Sequence, residues 1–256
     1  METTYLVFFF IIGTFMGSFY TVVGNRLPKN ISFIKGRSHC DVCNHTLSFI
    51  DMIPILSYIG LKGKCRYCNS RISPQSTYME IYTGELYALS YCIFGTSYKL
   101  LIAIGIITML IIISISDINY LIIPDEIIIF FSIYFIIINL LNIGITETFK
   151  SFLYGIILFL LMYIIMLIGN KIFKKESLGG GDIKLMFIFG LIETPLMGIV
   201  SIFIGSIIAL PISLYLLYKN NEHIIPFGPF LLLGLTLVYM TQFNDNALFS
   251  FLNFYT

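Results

Sequence analysis

The sequence predicts an all-α polytopic membrane protein of about eight transmembrane helices, and three observations lead there. Of 256 residues, 57% are hydrophobic and 11% charged, with a mean hydropathy of +0.91. A soluble chain of this size cannot bury that much apolar surface. Apolar runs of spanning length recur along the whole chain. The charges are also uneven: eight of the fifteen Lys and Arg lie between Arg26 and Arg71. Only Asp41 and Asp51 offset them, so the positive-inside rule puts this segment in the cytoplasm.

The runs follow in order. Leu6 to Val23 is the first. It reads as a retained helix with its N-terminus outside, since it lacks the basic n-region of a cleavable signal and its first charge is Glu2. Next come Tyr78 to Tyr98, with Glu80 and Glu85, and Leu100 to Ser116, with no charge. Glu126 to Leu141 and Ser151 to Gly169 are the fourth and fifth. The sixth starts at Asp182 and breaks near Glu193-Thr194-Pro195. The last two are Leu196 to Tyr218 and Pro226 to Phe243. The fourth and sixth are short against the roughly 20 residues a span needs. With the first loop inside, the cytoplasmic segments are 24–77, 117–125, 170–182 and 219–225. Twelve basic residues then lie inside, including Lys171, Lys174, Lys175 and Lys219; Lys99 and Lys150 lie outside and Lys184 falls in the sixth helix. The domain reading is a first helix (1–23), a basic cysteine domain (24–77) and a membrane domain of seven helices (78–256).

The first loop holds Cys40-x2-Cys43, a spacer of 21 residues, and Cys65-x2-Cys68. Two such knuckles form a four-cysteine zinc pattern, and four protein ligands make a closed, structural site. A pair of disulfides is the alternative, which a reducing cytoplasm disfavours. His39 and His45 are left out because four thiolates complete the shell. Cys92, inside a run, reads as a small buried hydrophobe.

Three aspartates lie at membrane boundaries, where an ionisable group is costly and invites a function. Asp125, after Pro124 and before an apolar run, reads as a helix N-cap. Asp182 could cap as well, but a cap does not need Gly179, Gly180 and Gly181 before it; these glycines leave room for a close backbone approach. Asp117 ends its helix, where the macrodipole disfavours a carboxylate, so capping does not explain it. Asp117 and Asp182 fall on the same membrane face, and three crossings allow their helices to be neighbours. Two carboxyls sharing one proton there have the chemistry of an aspartic protease.

These residues resemble a known family. GGGD, Gly179 to Asp182, continued by IKLMFIFG with Lys184, resembles the second catalytic motif of the type IV prepilin leader peptidases, which are membrane aspartic proteases. GSFYTVVGNRLP (Gly17 to Pro28) resembles the first-helix signature, and DMIPILSYIGLKGKCRYC the zinc-binding domain. SPQSTYMEIYTGEL resembles the lead into the second helix, although PQST stands where many relatives have a Tyr-Pro pair. SDINYLIIPDEI resembles the segment of the first catalytic aspartate, here Asp117, and IPFGPFLLLG (Ile225 to Gly234) a motif between the last two helices. Gly179, Gly181 and Lys184 support the active-site motif by this resemblance.

The resemblance implies a bacterial cytoplasmic-membrane enzyme. It would cut the basic leader from prepilins or pseudopilins of pili, type II secretion or competence systems. N-methylation with S-adenosylmethionine would follow. No glycine-rich fingerprint for that cofactor follows a strand, and Glu80 is the acidic residue to test first. The basic loop would not attract a basic leader and suits the anionic inner leaflet instead; no nucleic-acid partner is expected. A transporter or channel regulated by a zinc domain is the rival reading. Against it, the ionisable groups cluster at one face and no inverted repeat is visible. A non-enzymatic assembly factor is the second rival; it would tolerate Asp→Asn changes.

Overall fold

The computed structural model of the chain describes residues 2–34, 38–40, 42–174, 178–220, 225–243 and 245. Lys35, Arg37, Asp41 and Lys175, used above for the charge map, lie outside the described residues. Each predicted run is a helix. In chain order they are α1 (Glu2–Arg26), the short α2 (Leu56–Gly60), α3 (Gln75–Phe94), α4 (Tyr98–Tyr120), α5 (Asp125–Asn142), α6 (Ile145–Phe173), α7 (Gly180–Ile192), α8 (Pro195–Asn220) and α9 (Gly228–Met240). Among the described residues there is no strand, only two isolated bridges. The chain forms two compact units, Met1–Thr96 and Ser97–Thr256.

In the first unit α1 and α3 lie along each other. The contact depends on missing side chains: a Cβ on Gly13 would stand 2.8 Å from Gly84 Cα, and one on Gly17 2.8 Å from Thr83 Oγ1. Gly13 and Gly17 are four apart, the small-residue spacing that lets membrane helices approach closely. Tyr20 and Tyr87 pair their buried hydroxyls at 2.8 Å across the same contact.

In the second unit links of four, two and two residues join α4 to α5, α5 to α6 and α7 to α8, short enough to make each of these pairs antiparallel. Helix α4 is buried along most of its length, whereas α6 and α8 are mostly exposed and present Phe, Leu and Ile to lipid. Helix α7 packs on α6 by backbone contact: a Cβ on Gly190 would land on the Tyr154–Gly155 peptide, and one on Gly155 2.7 Å from Phe187 O. The buried Asn139 Nδ2 donates to Leu191 O at 2.8 Å, satisfying a carbonyl that the end of α7 leaves open.

Among the described residues five helices are long and apolar enough to cross a membrane: α1, α4, α5, α6 and α8. Helix α9 is apolar but shorter. Helix α7 has 13 residues, about 20 Å at 1.5 Å per residue, short of the roughly 30 Å hydrocarbon core. Helix α3 carries Glu80 and Glu85 and stands outside the five. The protein is a multi-pass membrane protein in which short or polar helices are held by longer ones.

Gly190→Ala should lower the unfolding temperature in detergent by an amount equivalent to about 1–3 kcal/mol of overpacking. Gly60→Ala, where a Cβ meets nothing within 4 Å, should stay within about 0.5 kcal/mol of the parent.

Candidate active site and metal centre

Three helix ends converge in the second unit. Asp117 sits in the last turn of α4. That helix closes on Leu121 in the left-handed region (φ 55°), whose N–H donates to Asp117 O at 2.8 Å. Ser116 Oγ donates to Ile122 O at 2.5 Å and fixes the turn that follows. The turn aims Ile123 inward, where it fills the space of two absent side chains. A Cβ on Gly181 would lie 2.7 Å from Ile123 Cβ, and one on Gly228 2.9 Å from Ile123 Cδ1. Gly228 opens α9, and its N–H donates to Asp117 Oδ2 at 3.1 Å. Asp182 is the third residue of α7, near a helix N-terminus that favours negative charge.

The two carboxyls are buried, with Asp117 6% and Asp182 8% exposed, and Asp117 lies close enough to act on Asp182 electrostatically. Asp182 Oδ1 has no hydrogen-bond partner among the described residues. Asp182 Oδ2 lies against Gly179, where a Cβ would approach to 3.0 Å. The structure therefore brings the two sequence-selected aspartates to one end of one unit.

Asp125 departs from expectation. The N-cap of α5 is Pro124, whose extended backbone (φ −66°, ψ 131°) makes Asp125 the first helical residue, and no side chain caps the helix. The exposed Asp125 carboxylate instead takes Lys184 Nζ at 2.6 and 2.8 Å. Lys184 is two residues beyond Asp182, a spacing that sends it to a different face of α7, so it pairs with α5 and not with the buried carboxyls. Asp182 does not cap either, because Gly179 holds the N-cap position without a side-chain bond. The glycines also differ in role: Gly181 is filled by Ile123, Gly179 abuts Asp182, and only Gly180 faces open space. The sequence reading missed Ile123 and Gly228. The one available signal was a Gly-Pro pair opening the last helix, in a motif noted only by resemblance.

The first unit holds the cysteines. The four thiol sulfurs lie within 4.8 Å of one another. Cys40 and Cys68 Sγ stand 3.8 Å apart, matching the roughly 3.8 Å edge of a tetrahedron built on Zn–S bonds of about 2.3 Å. All four are free of disulfides. The two knuckles share one construction. Cys40 N–H donates to His45 O at 3.0 Å and Cys65 N–H to Ser70 O at 2.9 Å. Asn44 and Asn69, each directly after the second cysteine, turn the chain back with φ 55° and 56°. This repeat of Cys-x-x-Cys-Asn was present in the sequence and passed over. Backbone N–H groups of Cys43 and Val42 pull the Cys40 thiol down to about 6, which suits a thiolate ligand. These residues can hold a metal ion, which would tie the two knuckles together.

Two braces frame the knuckles. Asp51 accepts from Ser48 Oγ at 2.6 Å and from Arg66 Nε at 2.6 Å; the Ser48 hydroxyl foremost, with Arg66, holds its carboxyl at about 2. Glu80, buried in α3, accepts Ile55 N–H at 2.8 Å and Ser76 Oγ at 3.2 Å. The acidic residue singled out for methylation thus has both oxygens engaged.

Comparison with known proteins bears on both units. Residues 11–94 match the bacterial peptidase A24 N-terminal domain, and residues 101–214 the type IV leader peptidase family. A prepilin leader peptidase/N-methyltransferase of Bacillus subtilis (strain 168) is 36% identical over 183 residues, 72% of this chain and 71% of that protein. The chain belongs to the type IV leader peptidase family. Another member so described, from Myxococcus xanthus, is 31% identical over 73% of this chain and 55% of its own length. One from Vibrio cholerae is 29% identical over 74% of this chain and 78% of its own. No solved structure matches. The two matched segments fall one in each compact unit, so the family's bipartite description follows the division at Thr96. Asp117 and Asp182 lie in the second matched segment and the four cysteines in the first, whereas Gly228 lies beyond both.

Purified protein should carry about one equivalent of metal per chain by elemental analysis, lost in Cys40→Ser and Cys65→Ser, as a closed four-ligand site requires. Asp125→Asn breaks an exposed ion pair and should cost at most about 1 kcal/mol by thermal unfolding.

Proposed function

We propose that this protein removes the basic leader from type IV prepilins or pseudopilins by aspartic-protease chemistry at Asp117 and Asp182, with the site at the cytoplasmic face of the membrane. The observation that carries the reading is the pair of buried carboxyls at one end of the second unit, one with a backbone donor and one with an unpartnered oxygen. Low dielectric lets such a pair keep a single proton between them. The Gly228 N–H supports charge on Asp117, so Asp117 is assigned as base and Asp182 as acid.

The base takes a proton from water as the water oxygen bonds to the scissile carbonyl carbon. The acid gives its proton to the carbonyl oxygen, forming a tetrahedral diol. As the diol collapses, one of its hydroxyls returns its proton to Asp182, the C–N bond breaks, and the proton that Asp117 took from water passes to the leaving amine. A prepilin fits this placement because its scissile bond lies between a basic leader and an apolar helix, at the depth where α4 ends near Asp117 and α7 begins near Asp182. The positive-inside count supports the cytoplasmic face.

The relatives' names also support methylation of the new N-terminus. S-adenosylmethionine would supply the methyl group, and no residue of this chain is assigned to hold it. Zinc is proposed as the metal of the four-cysteine site on ligand chemistry alone.

Purified protein should process a prepilin-like substrate, and Asp117→Asn and Asp182→Asn should each lose about 10³-fold or more of that activity, as for members of a catalytic unit. Full processing by either variant overturns the mechanism. Asp125→Asn should keep cleavage within a few fold. Gly180→Ala should cleave normally while Gly181→Ala, whose Cβ meets Ile123 at 2.7 Å, should be impaired; equal rates would detach Ile123 from the site.

A further inference from the structure

The segment between α1 and α3 has a surface of uneven character. Phe49, Ile50, Met52, Leu56 and Ile59 are all exposed, Phe49 at 74% and Ile59 at 65%. They come from the turn Ile50–Met52 and from α2, which pack on each other. Leu56 and Ile59, three apart, share a face of α2. Ile50 and Leu56 also border one cavity of about 260 Å³, with Arg66 at its rim. An exposed apolar cluster of this kind marks an interaction surface.

Its surroundings indicate the partner. Lys62, Lys64, Arg66 and Arg71 are exposed beside it. The one acidic side chain among the described residues of 27–74 is Asp51, covered by Ser48, Tyr67 and Arg66. The segment is tied at both ends to helices that lie along each other, leaving α1 at Arg26 and entering α3 at Gln75, and α1 is of spanning length and composition. The surface is therefore held beside the bilayer.

It is also held in a fixed attitude. Ile55 sits at φ 63°, ψ −53°, a tight turn that closes with Leu56 N–H on Pro54 O at 2.6 Å. A β-branched residue rarely adopts positive φ unless its surroundings impose it. Here the Ile55 N–H is bound by Glu80 of α3 at 2.8 Å, so a membrane-packed helix fixes where α2 points.

We propose that this face is a membrane-docking surface, seated on an anionic leaflet. Phe49, Ile50, Leu56 and Ile59 enter the acyl boundary, while Lys62, Lys64 and Arg71 meet lipid phosphates. The inference rests on the reading that this basic loop faces the cytoplasmic leaflet, and it is independent of the protease mechanism.

The chain has no tryptophan, so Phe49→Trp and Ile59→Trp each give a single-indole protein. Each is reconstituted at full length into phosphatidylcholine/phosphatidylglycerol vesicles, with and without acyl-chain-brominated lipid. Expected is strong quenching by the bromines and weak quenching by aqueous acrylamide, at both positions. Quenching by acrylamide alone would leave the face in water. Quenching by neither would mean that protein covers it. Either result overturns the proposal. The same variants carrying Asp117→Asn should show unchanged bromine quenching, so loss of cleavage and loss of docking are read separately.

Discussion

The site depends on one apolar side chain. Two ionisable groups in an apolar environment are costly, and no cation is bonded to either aspartate among the described residues. What holds them is the seating of Ile123 between the Gly181 and Gly228 backbones. That seating requires the turn after α4 to reverse at once, which the left-handed Leu121 and the Ser116–Ile122 bond accomplish. Without it α7 and α9 would lose their common contact beside Asp117, and the carboxyls would lose the low dielectric on which the proposed shared proton depends.

Helix α7 carries Asp182 but is too short to be stable by its own propensity. Ile123 packs at its first turn, Asn139 takes a carbonyl at its end, and the Gly155–Gly190 contact locks its C-terminal half to α6. Each clamp comes from a different part of the chain, the turn after α4, α5 and α6, so the position of Asp182 is over-determined. The Lys184–Asp125 pair adds a fourth link at the surface, where solvent screens it.

Parity of crossings, read from charge placement, was enough to put Asp117 and Asp182 at one end of the bundle. The cysteine spacing was enough to pick out the four thiols that the structure brings together in position to hold a metal ion. What escaped the sequence was anything decided by a single residue of register or by a distant partner. Asp125 as cap and Asp125 as first helical residue differ by one position, and its partner Lys184 is 59 residues away. Glu80 was singled out for chemistry on its position alone. Its role as a brace exists only because Ile55, 25 residues earlier, takes a conformation that no propensity favours. The glycines were read as room for a close backbone approach, but at Gly181 the Ile123 side chain already fills that room.

The inequivalence of the two carboxyls originates outside both of their helices. A helix N-terminus offers several unpaired N–H groups, and α9 reduces that offer: its second residue, Pro229, has no N–H, and Phe230 N–H turns back to Phe227 O at 3.1 Å. The donor left facing Asp117 is Gly228, and a side chain there would stand 3.1 Å from Asp117 Oδ2. Glycine followed by proline thus delivers one hydrogen bond to one oxygen of Asp117, whereas on Asp182 the Gly179 backbone acts beside Oδ2 and Oδ1 keeps no partner among the described residues. In a symmetric pair either carboxyl could hold the proton. The bond from Gly228 on one side and the unpartnered Asp182 Oδ1 on the other break that symmetry, and with it the base and the acid of the proposed mechanism acquire separate addresses.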